Sequence, residues 1–305
     1  MFKARLRAPA VAIVAIVFAS VLASPAQAAA TKYPLTVKFG GYTTKIAKKP
    51  TKIISLSPSA TEIFYAIGAK SQILAVDNLS NYPAGAPVSE ISAFEPSVEA
   101  ILAKKPDLVL LSIDSTKAPQ IRNALLKLGI PVLMEKAPAT LNDVYAENAL
   151  LGKVTDRADG AAKLNASMAK SIKDVLAKAK KSSKIRVFHE LDDTYYSVTS
   201  NTFIGKVYKD FGAINIADAA AGADSSGYPQ LSAEYLLKSD PQVIFLADAQ
   251  YGVTTESVSK RAGWSQISAV KNQKIVELPA DVPSRWGPRL VDFYKLIGAS
   301  LAKVS

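Results

Sequence analysis

One block of this sequence occurs twice. Val98-Glu99-Ala100-Ile101-Leu102-Ala103-Lys104-Lys105-Pro106-Asp107-Leu108-Val109-Leu110-Leu111 aligns without a gap on Ala233-Glu234-Tyr235-Leu236-Leu237-Lys238-Ser239-Asp240-Pro241-Gln242-Val243-Ile244-Phe245-Leu246. Each copy reads as a short helix that opens after a serine (Ser97, Ser232), carries a glutamate in its first turn, stops before a proline and feeds an apolar strand. Two copies imply two similar α/β lobes in one chain. Two such lobes can close on a ligand as a clamshell and show one carboxylate each to a partner.

The segments around the blocks keep the same order in both halves. After strand-like stretches at Leu35 to Phe39 and Thr43 to Ile46, the first half reads as strand Ile53 to Leu56, helix Thr61 to Ile67, strand Ile73 to Val76, the first block, helix Pro119 to Leu128 and strand Val132 to Met134. The second half repeats it with strand Ile185 to Phe188, helix Phe203 to Phe211, the second block, short helices near Glu256 and Trp264, strand Lys274 to Leu278 and helix Arg289 to Ala302. Short apolar strands alternating with helices predict parallel, doubly wound sheets. Between the halves, Asp156 to Lys181 is alanine- and lysine-rich and free of proline, with Ala158, Ala162, Leu164, Met168, Ile172 and Leu176 as a candidate buried face. A helix of roughly 25 residues there is a rod of about 38 Å. The expected organisation is a leader at 1–28, a first lobe at 29–155, a linking helix at 156–181 and a second lobe at 182–305. Ligands of open α/β sheets sit beyond the carboxyl ends of the strands, so the loops after the strands should face a cleft.

The leader fixes the compartment. Lys3, Arg5 and Arg7 precede an apolar stretch from Ala10 to Leu22 that is too short to span a bilayer, and Ala26-Gln27-Ala28 is an A-x-A cleavage site. The chain is therefore expected to be exported, to the periplasm or the cell surface. With no cysteine it has no disulfide, thiolate metal site or lipid-anchor thiol. The net charge of +11 includes three cations of the leader, and the remaining excess is spread along helices, as at Lys163, Lys170, Lys173, Lys178, Lys180 and Lys181. Nucleic-acid binding wants a clustered patch, so this distribution reads as solvated helix faces.

Enzyme chemistry finds little support. His189 is the only histidine and follows a strand, with Glu190, Asp192 and Asp193 beside it. A histidine–carboxylate metal site or a hydrolase base is conceivable there, but no G-x-S-x-G elbow accompanies it and zinc needs more nitrogen ligands. Packing or a hydrogen bond in the cleft is the simpler role. No catalytic residue, metal site or cofactor is assigned.

Lys52-Ile53-Ile54-Ser55-Leu56-Ser57-Pro58-Ser59-Ala60-Thr61-Glu62-Ile63, Ala66-Ile67-Gly68-Ala69, Asn81-Tyr82-Pro83, the first repeated block, Phe203-Ile204-Gly205 and the region from Asp281 to Arg289 together resemble the periplasmic binding proteins for cobalamin and iron-siderophores, nearest to the cobalamin-binding branch. The resemblance implies two α/β lobes joined by one long rigid helix, no enzymatic activity, and delivery of a corrinoid or ferric chelate to the permease and ATPase of an ABC importer by a monomer. It places the permease-docking carboxylates on Glu99 and Glu234, where exposed acids can pair with arginines of a partner. The same glutamates also suit a helix first turn for stability alone. For ligand contacts it points to the aromatic Tyr228 and the polar pair Asp281 and Arg285, with Phe94, Trp286 and Tyr196 as further cleft residues. Leu79 and Ser112 stand where the cobalamin proteins carry aromatic residues. A sensing or adhesion module on the same fold, or a siderophore or haem binder, is the alternative.

Overall fold

The computed structural model describes residues 29–179, 184–220 and 226–304, so the leader expected over 1–28 lies outside the described residues. An antiparallel hairpin, β1 (Leu35–Phe39) and β2 (Tyr42–Ile46), leads in. Lobe one runs β3 (Ile53–Leu56), α1 (Pro58–Ala66), β4 (Ile73–Val76), α2 (Val98–Ala103), β5 (Leu108–Ser112), α3 (Ala118–Lys127) and β6 (Val132–Glu135). Two helices follow, α4 (Leu141–Thr155) and α5 (Ala158–Lys178). Lobe two runs β7 (Arg186–Glu190), α6 (Phe203–Asp210), β8 (Ile214–Asn215), α7 (Ala217–Ala220), α8 (Ala233–Ser239), β9 (Val243–Leu246), α9 (Thr255–Ser259), α10 (Ser268–Lys271), β10 (Ile275–Glu277) and α11 (Leu290–Ala302).

Each lobe holds a parallel four-stranded sheet, and the strand orders match: β4-β3-β5-β6 and β8-β7-β9-β10. Strand alternation sends Ile53, Leu108, Leu110 and Leu133 into one core and Ile54, Leu56, Val109, Leu111, Val132 and Met134 into another. Val187, Val243 and Phe245 separate from Phe188, Ile244 and Leu246 in the same way. Both faces of each sheet are covered, which is why these strands are continuously apolar.

The duplication reaches the backbone. Ser97 and Ser232 cap α2 and α8 by accepting from Ala100 N–H and Tyr235 N–H. The aligned residues Lys105 and Asp240 both turn left-handed, at φ 53° and 45°. Asp107 N–H then donates to Lys52 O at 2.9 Å and Gln242 N–H to Arg186 O at 2.8 Å, tying each block to the first strand of its own lobe.

The linking rod differs from expectation. Asp156, at φ 58°, caps α4, so α5 starts two residues later than expected; it has 21 residues and is about 31 Å long, and the expected end at 181 lies outside the described residues. Asp156 also fastens the lead-in, accepting from Thr31 N–H at 2.8 Å and Lys49 Nζ at 2.9 Å. Ala162 is exposed and Ala161 is buried in its place, because α5 packs on α4 through Ala161 and Gly152. At Gly160 a Cβ would lie 2.1 Å from the Ile67 carbonyl oxygen, so only glycine lets the start of α5 sit on the end of α1. Ala161 belongs to a lobe-one core, Met168 and Ile172 to a lobe-two core, and Leu164 packs against both.

Candidate functional site

The carboxyl ends of the lobe-one strands wall a cavity of about 280 Å³ that a loop of lobe two closes over. Leu56 and Ser57 come from the β3–α1 junction, Ser112 and Asp114 from the end of β5, Glu135 from the end of β6, and Leu79 and Phe94 from the long connection before α2. Ser284, Arg285 and Trp286 come from the segment ahead of α11.

That segment is stitched onto lobe one. Trp286 N–H donates to Ser59 Oγ at 3.1 Å, while its ring stands edge-on to Phe203 with centroids 4.8 Å apart. Arg289 donates through Nε and Nη2 to Glu62 Oε1 at 2.9 and 2.5 Å and lies over the Tyr82 ring at 4.4 Å. Asp281 accepts from Asn81 Nδ2 at 2.9 Å and Arg285 Nη2 at 3.1 Å, with Arg289 at 3.7 Å. Burial holds Glu62 above the usual carboxylate range, with Arg289 pulling the other way.

The expected ligand contacts thus divide. Arg285, Trp286 and Phe94 line the cavity, as do Leu79 and Ser112. Asp281 stands behind Arg285 in the inter-lobe network rather than on the cavity wall. Tyr228 and Tyr196 are outside the cavity proper but present their rings, at 47% and 40% exposure, and Phe94 is 63% exposed. Burial, and then the charge of Asp114, raise the Tyr228 pKa. Of the tyrosine pair, Tyr196 is the open one. Tyr195 takes a left-handed φ of 70° and turns against Trp264 and Arg261, at 5.7 and 5.5 Å.

Glu99 and Glu234 are exposed in the first turns of α2 and α8. The Ser97 hydroxyl donates to Glu99 Oε2 at 2.7 Å and lowers its pKa. His189 is fully buried, its Nδ1 2.7 Å from Tyr208 Oη, and burial lowers its pKa to about 3. It is a packed core residue, and among the described residues no cluster of three or more His, Asp or Glu could hold a metal.

The sequence reading gave no buried role to four glutamates, Glu62, Glu135, Glu147 and Glu190. Besides Glu62, Glu190 at the end of β7 is gripped by Arg261 at 2.6 and 2.7 Å, and burial pushes its pKa up to about 7. Glu135 touches Ser57 and the carboxyl of Glu147, also buried, and burial raises both. The available signal was a glutamate closing a buried strand, in Val132-Leu133-Met134-Glu135 and Val187-Phe188-His189-Glu190.

Residues 53–282 match the family model described as periplasmic binding protein. An uncharacterized ABC transporter substrate-binding lipoprotein of Bacillus subtilis is 33% identical over 263 residues, covering 84% of this chain and 81% of that protein. The structure of a possible iron-binding (periplasmic solute-binding) protein of Staphylococcus epidermidis superposes with a TM-score of 0.72 at 27% identity, covering 83% of this chain and 99% of the other. The periplasmic vitamin B12 binding protein of Vibrio cholerae gives a TM-score of 0.67 at 26% identity, covering 85% and 100%.

Proposed function

This chain belongs to the periplasmic binding protein family, and from that premise we propose that it captures a corrinoid or ferric chelate outside the cytoplasm and hands it to the permease and ATPase of an ABC importer. The observation that carries the reading is the cavity at the strand carboxyl ends of lobe one, roofed by Ser284, Arg285 and Trp286 of lobe two. Aromatic faces at Phe94, Trp286, Tyr228 and Tyr196 suit a flat conjugated ligand. The cavity itself takes one edge or side-chain cluster of so large a ligand, and the open tyrosines extend the contact beyond it. A corrinoid is the favoured ligand because the V. cholerae relative is named for vitamin B12. The S. epidermidis neighbour, named as a possible iron-binding protein, keeps the ferric-chelate reading beside it.

Glu99 and Glu234 are the proposed contacts to the permease, one per lobe, and Asp281 acts on the ligand through Arg285. The protein works as a monomer, since each chain supplies both walls of its own cavity. The test is titration of the purified protein with cyanocobalamin, a ferric hydroxamate, a ferric catecholate and haem, read by calorimetry. Saturable one-to-one binding of cobalamin alone supports the corrinoid site; binding of a ferric chelate alone keeps the transport role and overturns the corrinoid; binding of none overturns the reading.

A further inference from the structure

The sequence carries a net charge of +11, yet acids stand at the carboxyl ends of strands in both lobes, and two of them, Asp114 and Glu135, line the cavity. Asp77 follows β4, Asp114 follows β5 and Glu135 ends β6, while Glu190 ends β7 and Asp248 follows β9. The arginines beside them are already matched: Arg261 with Glu190, Arg285 with Asp281, Arg289 with Glu62. Lys117 and Lys136, close in sequence to Asp114 and Glu135, do not line the cavity.

Glu135 gives this pattern its second support. It is 5% exposed, lines the cavity, and neighbours Ser57 and the buried Glu147; Oε1 of each glutamate has no hydrogen-bond partner among the described residues. Two carboxyl groups in contact away from water do not both ionise, so the pair holds at least one proton and at most one charge. It also stands at Ser57, the N-cap of α1, so the positive end of that helix, a natural seat for an anion, is already faced by protein.

We propose that the cleft refuses anionic ligands and takes electroneutral or cationic chelates rich in hydrogen-bond donors, with Asp114 on the open wall and Glu135 at the floor as the specificity-determining residues. Carboxamides and ammonium groups are the ligand chemistry that satisfies these acceptors. Carboxylate-bearing porphyrins and polyanionic ferric catecholates meet like charge there, and the cation of the cavity lining, Arg285, is already paired with Asp281. The inference rests on the cavity being the ligand site.

Matched probes test it by calorimetry at neutral pH: cyanocobalamin against its monocarboxylic acid, in which one propionamide is hydrolysed, and cationic ferrioxamine B against trianionic ferric enterobactin. If the cobalamin pair binds, the neutral member should bind about tenfold tighter, a single like-charge encounter in a partly desolvated site, and if the ferric pair binds, the cationic member should be favoured by at least as much. Asp114→Asn should narrow the ratio and Asp114→Lys should invert it. A merely structural role for Asp114 would weaken both members alike and leave the ratio unchanged, which overturns the proposal, as does equal or tighter binding of the anionic member by the unaltered protein. Binding of none of the four probes overturns the functional reading and this inference with it.

Discussion

Replacing Arg289 by methionine should destabilise the protein by about 3–5 kcal/mol at neutral pH, the usual cost of stranding one member of a buried ion pair. Methionine keeps much of the aliphatic stem, so the loss is chiefly of the guanidinium, with its bonds to Glu62 and its place over the Tyr82 ring. The Glu62 side chain is 1% exposed, its Oε1 takes both bonds from Arg289, and its Oε2 has no partner among the described residues. Without the guanidinium Glu62 must stay charged in a poor solvent for charge or take up a proton. Burial already raises its pKa from 4.5 and Arg289 is the main opposing influence, so the variant moves the folded value further up. The folded state then binds this proton more tightly than the unfolded chain. Stability is fully retained below the unfolded value of 4.5 and lost as pH rises towards the folded value, so the penalty grows with pH and then levels. Glu62→Gln in the same background removes the stranded charge and should recover most of the loss. Urea unfolding of the four members of this cycle, followed by circular dichroism from mildly acidic to neutral pH, measures it. A penalty that is flat with pH, or one that Glu62→Gln fails to relieve, refutes the reasoning.

Three further outcomes follow from the same geometry. Glu99→Arg with Glu234→Arg should leave ligand affinity within about twofold, since neither residue lines the cavity, and abolish stimulation of the importer's ATPase in reconstituted vesicles; normal stimulation rules out the docking role. Ligand-induced fluorescence change should vanish in Trp286→Phe and persist in Trp264→Phe, because Trp286 lines the cavity while Trp264 is 1% exposed in a lobe-two core. His189, lowered from 6.5 to about 3 by burial, favours the folded state above pH 6.5 and loses that contribution as pH falls towards 3; His189→Phe should be less stable at neutral pH through the lost Tyr208 bond, yet show a shallower fall in urea midpoint between pH 6 and 4.

The repeated block made the two parallel sheets legible, because its caps, turn and strand are all local signals. Helix α4 was not, since its buried side includes Glu147, Asn148 and Gly152, and a polar buried face breaks the apolar stripe that marks a helix in sequence. The cavity wall followed from the rule about strand ends, but its closure did not. Arg289 and Glu62 are 227 residues apart, and Asn81 and Asp281 are 200 apart, so nothing near either announces the pairing. Tyr195 and Tyr196 lie beyond the end of β7, so which of them stays open depends on the left-handed turn at Tyr195 rather than on strand alternation.

The block also decides how delivery and docking relate. In each copy the connection from helix to strand is short, from Ala103 to Leu108 and from Ser239 to Val243, and it is tied to the first strand of its lobe by Asp107 and Gln242. So short a connection forces the helix to run antiparallel to the strand it feeds, with its C-terminus at the strand's amino end. The N-termini of α2 and α8, with Glu99 and Glu234, therefore lie on the side of the carboxyl strand ends, where the cavity opens. A partner that engages both carboxylates spans the mouth of the cleft. Any change in the spacing of the two lobes then alters the docking surface and the Ser284–Trp286 cover together, because α11 and its preceding loop belong to lobe two while their anchors, Ser59 and Glu62, belong to lobe one. If a permease does engage Glu99 and Glu234, prying them apart should strain the Arg289–Glu62, Asn81–Asp281 and Trp286–Ser59 contacts, all of which cross between the lobes.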